Sequence, residues 1–212
     1  MEHYDLIVIG GGPSGYAGAM RALDFKKKVL LIEKKRIGGA GVYDGVLTSK
    51  TLWELSQKVS SIREMIPDYQ VDYSNIVSTL KEAVFERKTQ MTVHLNLLQK
   101  QQANLFSYDK GTAYFVDKNT IEIKKEDGSV RRVSADNILI ATGSRPRYLP
   151  HIAIDEQIIM TSDGVKNLTD LPESLVVLGA GVIGCEFATI FSNMGRTKVY
   201  LIDKADRILP FE

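Results

Sequence analysis

Three glycines and one carboxylate occur twice in this chain with nearly the same spacing. Each set follows a run of apolar residues, and its acidic residue ends or follows a second such run. The two sets are Gly10, Gly12, Gly15 and Glu33, and Gly179, Gly181, Gly184 and Asp203. In order, the glycines permit a tight strand-to-helix turn, close approach of the backbone to a phosphate, and packing of the helix on the strand. The acid, 18 or 19 residues after the last glycine, suits a hydrogen bond to ribose hydroxyls.

Each set therefore predicts a strand, a turn, a helix and a second strand that together bind one dinucleotide. The phosphates would rest at the helix N-terminus, where free N–H groups and the helix dipole stabilise negative charge. One such turn can arise from packing needs alone, but two complete units indicate function. The predicted fold class is α/β, with two Rossmann-like nucleotide-binding lobes. The predicted domains are residues 1–150 and residues 151–212.

Size and composition limit the other possibilities. The 212 residues are 44% hydrophobic and 25% charged, with a net charge of +1, which is ordinary for a globular protein and predicts neither a nucleic-acid nor a membrane partner. The single cysteine, Cys185, allows no internal disulfide and predicts a cytoplasmic location. The three histidines lack the spacing of metal ligands, so no metal site is predicted.

Periodicity places further elements between the two glycine sets. Helical spacing predicts helices over residues 13–25, 49–65 and 74–100, the last capped by Ser74. The glycine-rich stretch 38–41 predicts irregular structure. Alternating patterns predict short strands over residues 112–116, 120–124, 129–133 and 137–141. A strand-poor passage should connect the lobes over residues 146–172, and Gly195 should end the second helix.

This order of parts resembles the FAD-dependent pyridine nucleotide-disulfide oxidoreductases, the family of glutathione reductase and dihydrolipoamide dehydrogenase, over the whole chain. The motifs that carry the resemblance include the two glycine sets, Gly38-Gly39, Ser49-Lys50, Gly111-Thr112-Ala113, Ala141-Thr142-Gly143 and Gly179 to Glu186. The resemblance implies that the first set binds the ADP half of FAD, beside a small antiparallel sheet, and that the second binds NAD or NADP. Besides the glycines and acids above, it assigns cofactor binding to Pro13, Ser14, Lys34, Gly38, Gly39, Gly41, Lys50, Gly111, Ala113, Thr142, Gly143, Ile183, Glu186 and Lys204.

The chain departs from this family at its redox centre. Where the family has its two redox cysteines, this sequence has Gly41 and Val46. Disulfide exchange requires an attacking thiolate, which neither residue can supply. Cys185 is solitary and cannot replace the pair. Reduction of a disulfide substrate by this segment is therefore excluded.

The resemblance implies a catalytic pair that does not depend on the cysteines. Relatives place the lysine that matches Lys50 against the glutamate that matches Glu186, near the reactive edge of the flavin. An ammonium group there would stabilise negative charge on the reduced flavin, while the carboxylate orients the lysine. From the residues alone, the alternative is an unrelated surface lysine and a helix glutamate, since they lie 136 positions apart.

Within the family, the string Gly179 to Ala188 and the Gly143–Pro146 turn look most like the soluble pyridine nucleotide transhydrogenases. That resemblance implies hydride transfer between NAD(P)H and NAD(P)⁺ through the flavin. The alternatives are an NADH-dependent diaphorase with a quinone or other acceptor, and a non-catalytic, truncated relative. Asp203 favours NAD because a carboxylate repels a 2′-phosphate, although Lys204 and Arg207 could offset the repulsion.

Family members continue well beyond the point where this sequence ends. The resemblance therefore leads us to expect that the chain is a fragment, with an incomplete FAD domain and the N-terminal part of an NAD(P) domain. The parent protein is expected to be a homodimer.

Overall fold

The computed structural model describes residues 1–209, which form two compact units. One unit comprises residues 1–43 and 85–145, and the other comprises residues 44–84 and the chain from residue 146 onward. Residues 44–84 thus belong to the second unit, whereas the predicted domains are divided at residue 150. Which residues serve which nucleotide stays a prediction.

The first unit is built on one six-stranded sheet in the order β3-β2-β1-β6-β5-β4. Its strands are β1 (Glu2–Ile9), β2 (Val29–Glu33), β3 (Phe106–Lys110), β4 (Thr112–Phe115), β5 (Thr120–Lys124) and β6 (Val130–Ile140). Strands β3, β2, β1 and the second part of β6 run parallel, which brings their carboxyl ends to one edge. Strand β2 is buried along its whole length, as its run of apolar residues predicts for a central parallel strand.

Strand β6 corrects one sequence prediction. The predicted strands 129–133 and 137–141 are a single strand, Val130–Ile140. Its first part pairs antiparallel with β5, and its later part pairs parallel with β1, so Ser134 has a partner on both sides. The antiparallel strands are therefore hydrogen bonded to the parallel sheet through β6 instead of forming a separate small sheet.

Two helices of the first unit follow the ends of its strands. Helix α1 (Pro13–Asp24) agrees with the predicted helix, with Pro13 in its first turn. The prediction of irregular structure for residues 38–41 was wrong, because Gly39–Tyr43 forms the short helix α2. Gly38 and Gly39 both have positive φ, which lets the chain turn sharply into α2. A helix of five residues is too short to show a helical repeat of apolar residues in the sequence.

The second unit contains a two-stranded parallel sheet and packed helices. Its elements are α3 (Val46–Met65), the first turns of α4 (Tyr73–Gln101), β7 (Ser174–Leu178), α5 (Val182–Met194) and β8 (Lys198–Ile202). Leu52 and Val59 of α3 share one buried cluster with Phe187, Ile190 and Phe191 of α5. Strands β7 and β8 pair parallel on either side of α5 in the sequence, which is the βαβ arrangement predicted from the second glycine set.

The N-terminal ends of two of these helices differ from the predictions. Helix α3 begins three residues before the predicted Ser49. The cap of α4 is Asp72, not Ser74: the Asp72 carboxylate accepts the Ser74 N–H at 2.9 Å and the Ser74 hydroxyl at 2.7 Å. Gly195 ends α5 with a φ of +75°, as predicted.

None of the helices in the described part of the chain combines the length and the apolar character needed to cross a lipid bilayer.

Candidate functional site

The first glycine turn, residues 10–15, lies at the carboxyl edge of the six-stranded sheet. Gly10 donates its N–H to the Ile32 carbonyl at 2.8 Å, and Ala141 donates to Ile9 at 2.8 Å. These hydrogen bonds join the ends of β1, β2 and β6 where α1 begins. In open α/β sheets this edge is where ligands bind.

Gly12 and Gly15 have opposite environments, which explains why both are glycine. A β-carbon at Gly15 would lie 1.8 Å from the Gly10 carbonyl oxygen, whereas a β-carbon at Gly12 would have no atom within 4 Å. Gly15 is therefore needed by the fold itself. The space beside Gly12 is open, as expected where the backbone must approach a phosphate. Pro13 and Ser14, at the start of α1, lie next to this space.

The Glu33 carboxylate is held against the glycine turn. Its two oxygens accept the Gly11 N–H and the Lys35 N–H, each at 2.7 Å, and the residue is 9% exposed. Each carboxylate oxygen keeps a further acceptor site, so ribose hydroxyls can still bind. The sequence prediction missed Gly11, although the run of three glycines gave the signal.

Most of the remaining residues predicted to bind the first dinucleotide follow strands of the parallel sheet, and Ala113 lies within the antiparallel strand β4. Gly111 follows β3 and donates its N–H to the Glu33 carbonyl at 3.0 Å. Ala113 lies in β4, and Thr142 and Gly143 follow β6 with exposed side chains or backbone. Lys34 is exposed immediately after β2. The topology thus brings Lys34, Gly111, Thr142 and Gly143 to the carboxyl edge of the parallel strands, whereas Ala113 packs against the core from β4.

Helix α2 packs directly on the first glycine turn. Gly38 donates its N–H to the Gly11 carbonyl at 2.8 Å. A β-carbon at Gly39 would lie 3.2 Å from the Gly12 α-carbon, and one at Gly41 would lie 2.4 Å from Cγ of Pro13. Gly41 is thus a packing residue in this chain, and the position of the first redox cysteine has no room for a side chain.

We expect Gly41→Ala to destabilise the protein by about 1–3 kcal/mol, because the added methyl overlaps the Pro13 ring. Urea unfolding followed by circular dichroism measures the change. Pro13→Ala removes the ring, so the double variant should lose clearly less stability than the sum of the two single variants. Additive losses would show that the clash with Pro13 is not the cause.

The second glycine turn, residues 179–184, repeats the geometry of the first. Gly179 donates its N–H to the Ile202 carbonyl at 2.8 Å, as Gly10 does to Ile32. A β-carbon at Gly184 would again lie 1.8 Å from the carbonyl oxygen of the first glycine, and a β-carbon at Gly181 would again meet nothing within 4 Å. Ile183 is 57% exposed in the first turn of α5. The two glycine turns therefore have the same backbone geometry.

Asp203 follows β8 and faces the second glycine turn. Its carboxylate accepts the Ala180 N–H at 2.6 Å and the Ala205 N–H at 2.8 Å. These backbone hydrogen bonds hold the pKa of the Asp203 carboxyl below its usual value, so it is ionised at neutral pH. A cleft of about 340 Å³ opens here, lined by Ala180, Leu201, Ile202, Asp203, Ala205, Asp206, Arg207 and Ile208. Lys204 is exposed beside it.

Lys50 and Glu186 are brought together within the second unit. The Lys50 ammonium lies 2.8 Å from Oε1 of Glu186, and their side chains are 59% and 12% exposed. The pairing follows from the packing of α3 on α5. Farther along these helices, the Asn193 amide donates to the Ser56 hydroxyl at 3.3 Å, which adds a second link between them. The structure thus excludes the alternative of two unrelated residues, although the catalytic role of the pair stays a prediction.

A second ion pair, which the sequence did not predict, stabilises the segment that replaces the redox centre. Asp44, between the two altered cysteine positions, accepts a hydrogen bond from the Lys166 ammonium. Both side chains are partly buried, and the residues are separated by 122 positions. No local spacing could have indicated this contact.

The remaining candidates for thiol or metal chemistry are the position of Val46, the Cys185 thiol and clusters of possible metal ligands. Val46, at the second altered position, is 62% exposed at the start of α3. The Cys185 thiol donates to the Ala180 carbonyl at 3.4 Å. Within residues 1–209, no cluster of histidine, cysteine and carboxylate side chains could bind a metal ion.

The two glycine turns fit the phosphates of two dinucleotides. Each leaves an open space beside its middle glycine, at the N-terminus of a helix of 12 or 13 residues, with a carboxylate bonded to the same turn. The first acid is Glu33 and the second is Asp203. The first turn would bind the pyrophosphate of FAD, and the second would bind that of NAD(P).

Comparison with known sequences gives a consistent result. A family model described as pyridine nucleotide-disulphide oxidoreductase matches residues 4–212. The chain is 36% identical to the dihydrolipoyl dehydrogenase of Bacillus subtilis, in a match that covers 98% of the chain and 45% of that protein. It is 35% identical to the soluble pyridine nucleotide transhydrogenase of Vibrio cholerae, over 99% of the chain and 45% of that protein.

Solved structures show the same relationship. All of the chain superposes on 47% of LpdA from Mycobacterium tuberculosis, with a TM-score of 0.84 and 26% identity. It also superposes on 45% of the HOCl-induced flavoprotein disulfide reductase RclA from Escherichia coli, with a TM-score of 0.78 and 26% identity. The chain spans less than half of the length of these relatives. The chain therefore belongs to the pyridine nucleotide-disulphide oxidoreductase family, whose members use FAD and a nicotinamide dinucleotide.

Proposed function

We propose that this chain is the nucleotide-binding part of a flavoprotein that transfers reducing equivalents between nicotinamide dinucleotides without a redox disulfide. The observation that carries the proposal is the Lys50–Glu186 ion pair, with 2.8 Å between its charged atoms, in a chain whose cysteine positions are Gly41 and Val46. When bound, FAD supplies a two-electron carrier that accepts hydride from NAD(P)H and returns it to NAD(P)⁺.

The first unit supplies the FAD site in this proposal. Its glycine turn offers backbone N–H groups to the pyrophosphate at the start of α1, and Glu33 accepts the ribose hydroxyls. Because the Gly11 N–H already fixes one oxygen of Glu33 at 2.7 Å, the carboxylate is oriented before the ribose arrives. A preoriented acceptor loses less side-chain entropy on binding.

Lys50 and Glu186 act together as an ion pair in this proposal, with the lysine as the group that faces the flavin. The Lys50 ammonium, oriented by the Glu186 carboxylate at 2.8 Å, would stabilise negative charge that develops on bound flavin. Glu186 is the less exposed partner, with 12% of its side chain exposed, so it is the fixed member of the pair. This role does not require a thiol.

The second unit supplies the nicotinamide dinucleotide site, with Asp203 at the adenosine ribose. An ionised carboxylate that accepts two backbone N–H groups disfavours a 2′-phosphate, and Asp206 lines the same cleft. Lys204 and Arg207 provide positive charge nearby. NAD is therefore the preferred dinucleotide, with NADP as a weaker partner.

The carboxylates of that cleft also support a second candidate function. An enzyme that excludes NADPH would work as an NADH-dependent diaphorase, passing electrons from the flavin to a quinone or another acceptor. It would use the same Lys50–Glu186 pair. The acceptor thus separates the two functions.

The deciding experiment is an anaerobic titration of the purified 212-residue protein after addition of FAD. Bound flavin that is bleached by NADPH and by NADH, and is reoxidised faster by NAD⁺ than by a quinone, supports the transhydrogenase. Bleaching by NADH alone, with faster reoxidation by the quinone, supports the diaphorase. A protein that binds no flavin, or whose bound flavin neither dinucleotide reduces, is a non-catalytic relative, and the proposed function is then wrong for this chain.

A further inference from the structure

The interface between helices α3 and α5 contains a buried hydroxyl among apolar side chains. Ser56 is 0% exposed and lies between Leu52 and Val59 on the buried side of α3. The residues that α5 buries are Phe187, Ile190, Phe191 and Met194. Apolar packing is non-directional, so it holds two helices together without selecting a single register. A buried polar group is costly unless it is hydrogen bonded, so Ser56 favours only those positions of α5 that supply a partner.

The hydrogen bonds of Ser56 have a fixed direction. Its hydroxyl donates to the Trp53 carbonyl of the same helix at 2.8 Å. Because the hydroxyl has no second proton, its oxygen can only accept a further hydrogen bond, and the Asn193 amide of α5 donates to it at 3.3 Å. The site therefore requires a donor from α5. An asparagine supplies that donor, whereas an ionised aspartate of the same shape has none.

The Ser56–Asn193 hydrogen bond and the Lys50–Glu186 ion pair join the same two helices in the same order. Ser56 lies six residues after Lys50, and Asn193 lies seven residues after Glu186. With a rise of about 1.5 Å per residue, the two links are about 10 Å apart along each helix. A slide or a rotation of α5 against α3 that broke one link would therefore also disturb the other.

A third contact continues this series toward the end of α5. A β-carbon at Gly195 would lie 1.8 Å from Nη1 of Arg63, so the Arg63 guanidinium occupies the space that a side chain at this position would need. A positive charge at the C-terminal end of a helix is stabilised by the helix dipole. The ion pair, the hydrogen bond and this contact follow one another in sequence order on both helices, as expected for a single register.

We propose that Ser56 and Asn193 are positioning residues for Lys50, because their hydrogen bond sets the register in which Lys50 meets Glu186. The Lys50 side chain is long and 59% exposed, and an exposed ion pair must overcome the entropy of ordering such a side chain. A carboxylate already held in place makes that pairing easier. The consequence for flavin reduction rests on the proposed function, whereas the effect on the ion pair does not.

Competitive acylation of lysines measures the ion pair without any cofactor. The protein is treated with a trace of acetic anhydride, and mass spectrometry compares the acylation of Lys50 with that of Lys58, an exposed lysine of the same helix. Acylation of Lys50 must break its ion pair, so the ratio of Lys50 to Lys58 acylation should be low in the unmodified protein. Glu186→Gln removes the charge of the partner and provides the ratio expected without the pair.

Variants of the hydrogen bond should change this ratio. Ser56→Ala and Asn193→Asp should each raise it several-fold, toward the value of Glu186→Gln. The double variant should raise it no further, since both changes remove the same hydrogen bond. Circular dichroism of each variant confirms that it is folded.

Val59→Ala is the matched control for a merely structural effect. It removes buried apolar volume from the same side of α3, so it should destabilise the protein but leave the acylation ratio as in the unmodified protein. A ratio that stays unchanged in both polar variants, or that rises as much in Val59→Ala as in Ser56→Ala, would overturn the proposal.

Stopped-flow reduction of bound FAD by NADH separates this inference from the proposed function. Ser56→Ala should slow reduction several-fold, but less than removal of Lys50 itself, and Val59→Ala should not slow it. If the acylation ratios change as expected but the flavin of the unmodified protein is not reduced, the positioning role stands and the proposed function fails. If that flavin is reduced, and Ser56→Ala changes neither the ratio nor the rate, the positioning role is wrong and the proposed function stands.

Discussion

Lys50→Met is expected to slow anaerobic reduction of bound FAD by NADH about 100-fold, because a preorganised charge at a site of developing charge contributes on this scale. FAD affinity should fall far less than the rate, since the residues assigned to the FAD phosphates lie in the first glycine turn and the Lys50 side chain is 59% exposed. Stopped-flow absorbance of the flavin measures the rate, and equilibrium titration measures the affinity.

Two variants separate the charge of Lys50 from general effects on α3. Lys58→Met removes an exposed lysine from the same helix and should leave the rate within about two-fold, as for most surface substitutions. Glu186→Gln keeps the shape of the partner but removes its charge, so its rate should lie between those of the unmodified protein and Lys50→Met. If Lys50→Met and Lys58→Met reduce flavin equally fast, the proposed role of the ion pair is wrong.

The catalytic proposal also explains why loss of the cysteines need not mean loss of function. The segment that replaces the redox centre has its own packing: Gly41 leaves room for the Pro13 ring, and Asp44 is paired with Lys166. The Asp44–Lys166 ion pair stabilises the segment without a disulfide. This arrangement agrees with the proposed function, in which the flavin passes electrons to the acceptor directly and no disulfide takes part.

The sequence was most informative where the determinant is local. The turns at Gly10 to Gly15 and Gly179 to Gly184, and the end of α5 at Gly195, depend on backbone conformations and close approaches that only glycine allows. The acids Glu33 and Asp203 lie at the predicted positions, because the helices and second strands of the two units have nearly equal lengths. Such features can be read from residue type and spacing alone.

Sequence was least informative where a distant residue decides the structure. Strand β6 stays continuous because Ser134 is paired with both Thr120 and His3, and neither partner is close in sequence. Helix α2 forms because it packs on the glycine turn. The Asp44–Lys166 pair joins residues 122 positions apart. Propensity and periodicity describe neighbours along the chain, so contacts of this kind become visible only in the folded structure.

Substitutions of the second and third glycines of the first turn, Gly12 and Gly15, should separate effects on folding from effects on binding. Gly15→Ala places a β-carbon 1.8 Å from the Gly10 carbonyl oxygen, so we expect it to destabilise the protein by about 3 kcal/mol or more, since backbone must move. Gly12→Ala adds a methyl group to open space in an extended backbone conformation, so stability should change by less than about 1 kcal/mol. Urea unfolding measures both.

Binding of FAD should respond in a different way. The methyl group of Gly12→Ala occupies the space proposed for the pyrophosphate. The pyrophosphate would then lose its hydrogen bonds to the backbone of the turn, so FAD affinity should fall at least about 100-fold although the protein is fully folded. Quenching of FAD fluorescence on binding provides the affinity. The second turn supplies the matched control: Gly181→Ala, with the same open surroundings, should leave FAD affinity unchanged and reduce only the affinity for NADH. If Gly181→Ala impairs FAD binding as much as Gly12→Ala does, the assignment of FAD to the first turn and of the nicotinamide dinucleotide to the second is incorrect.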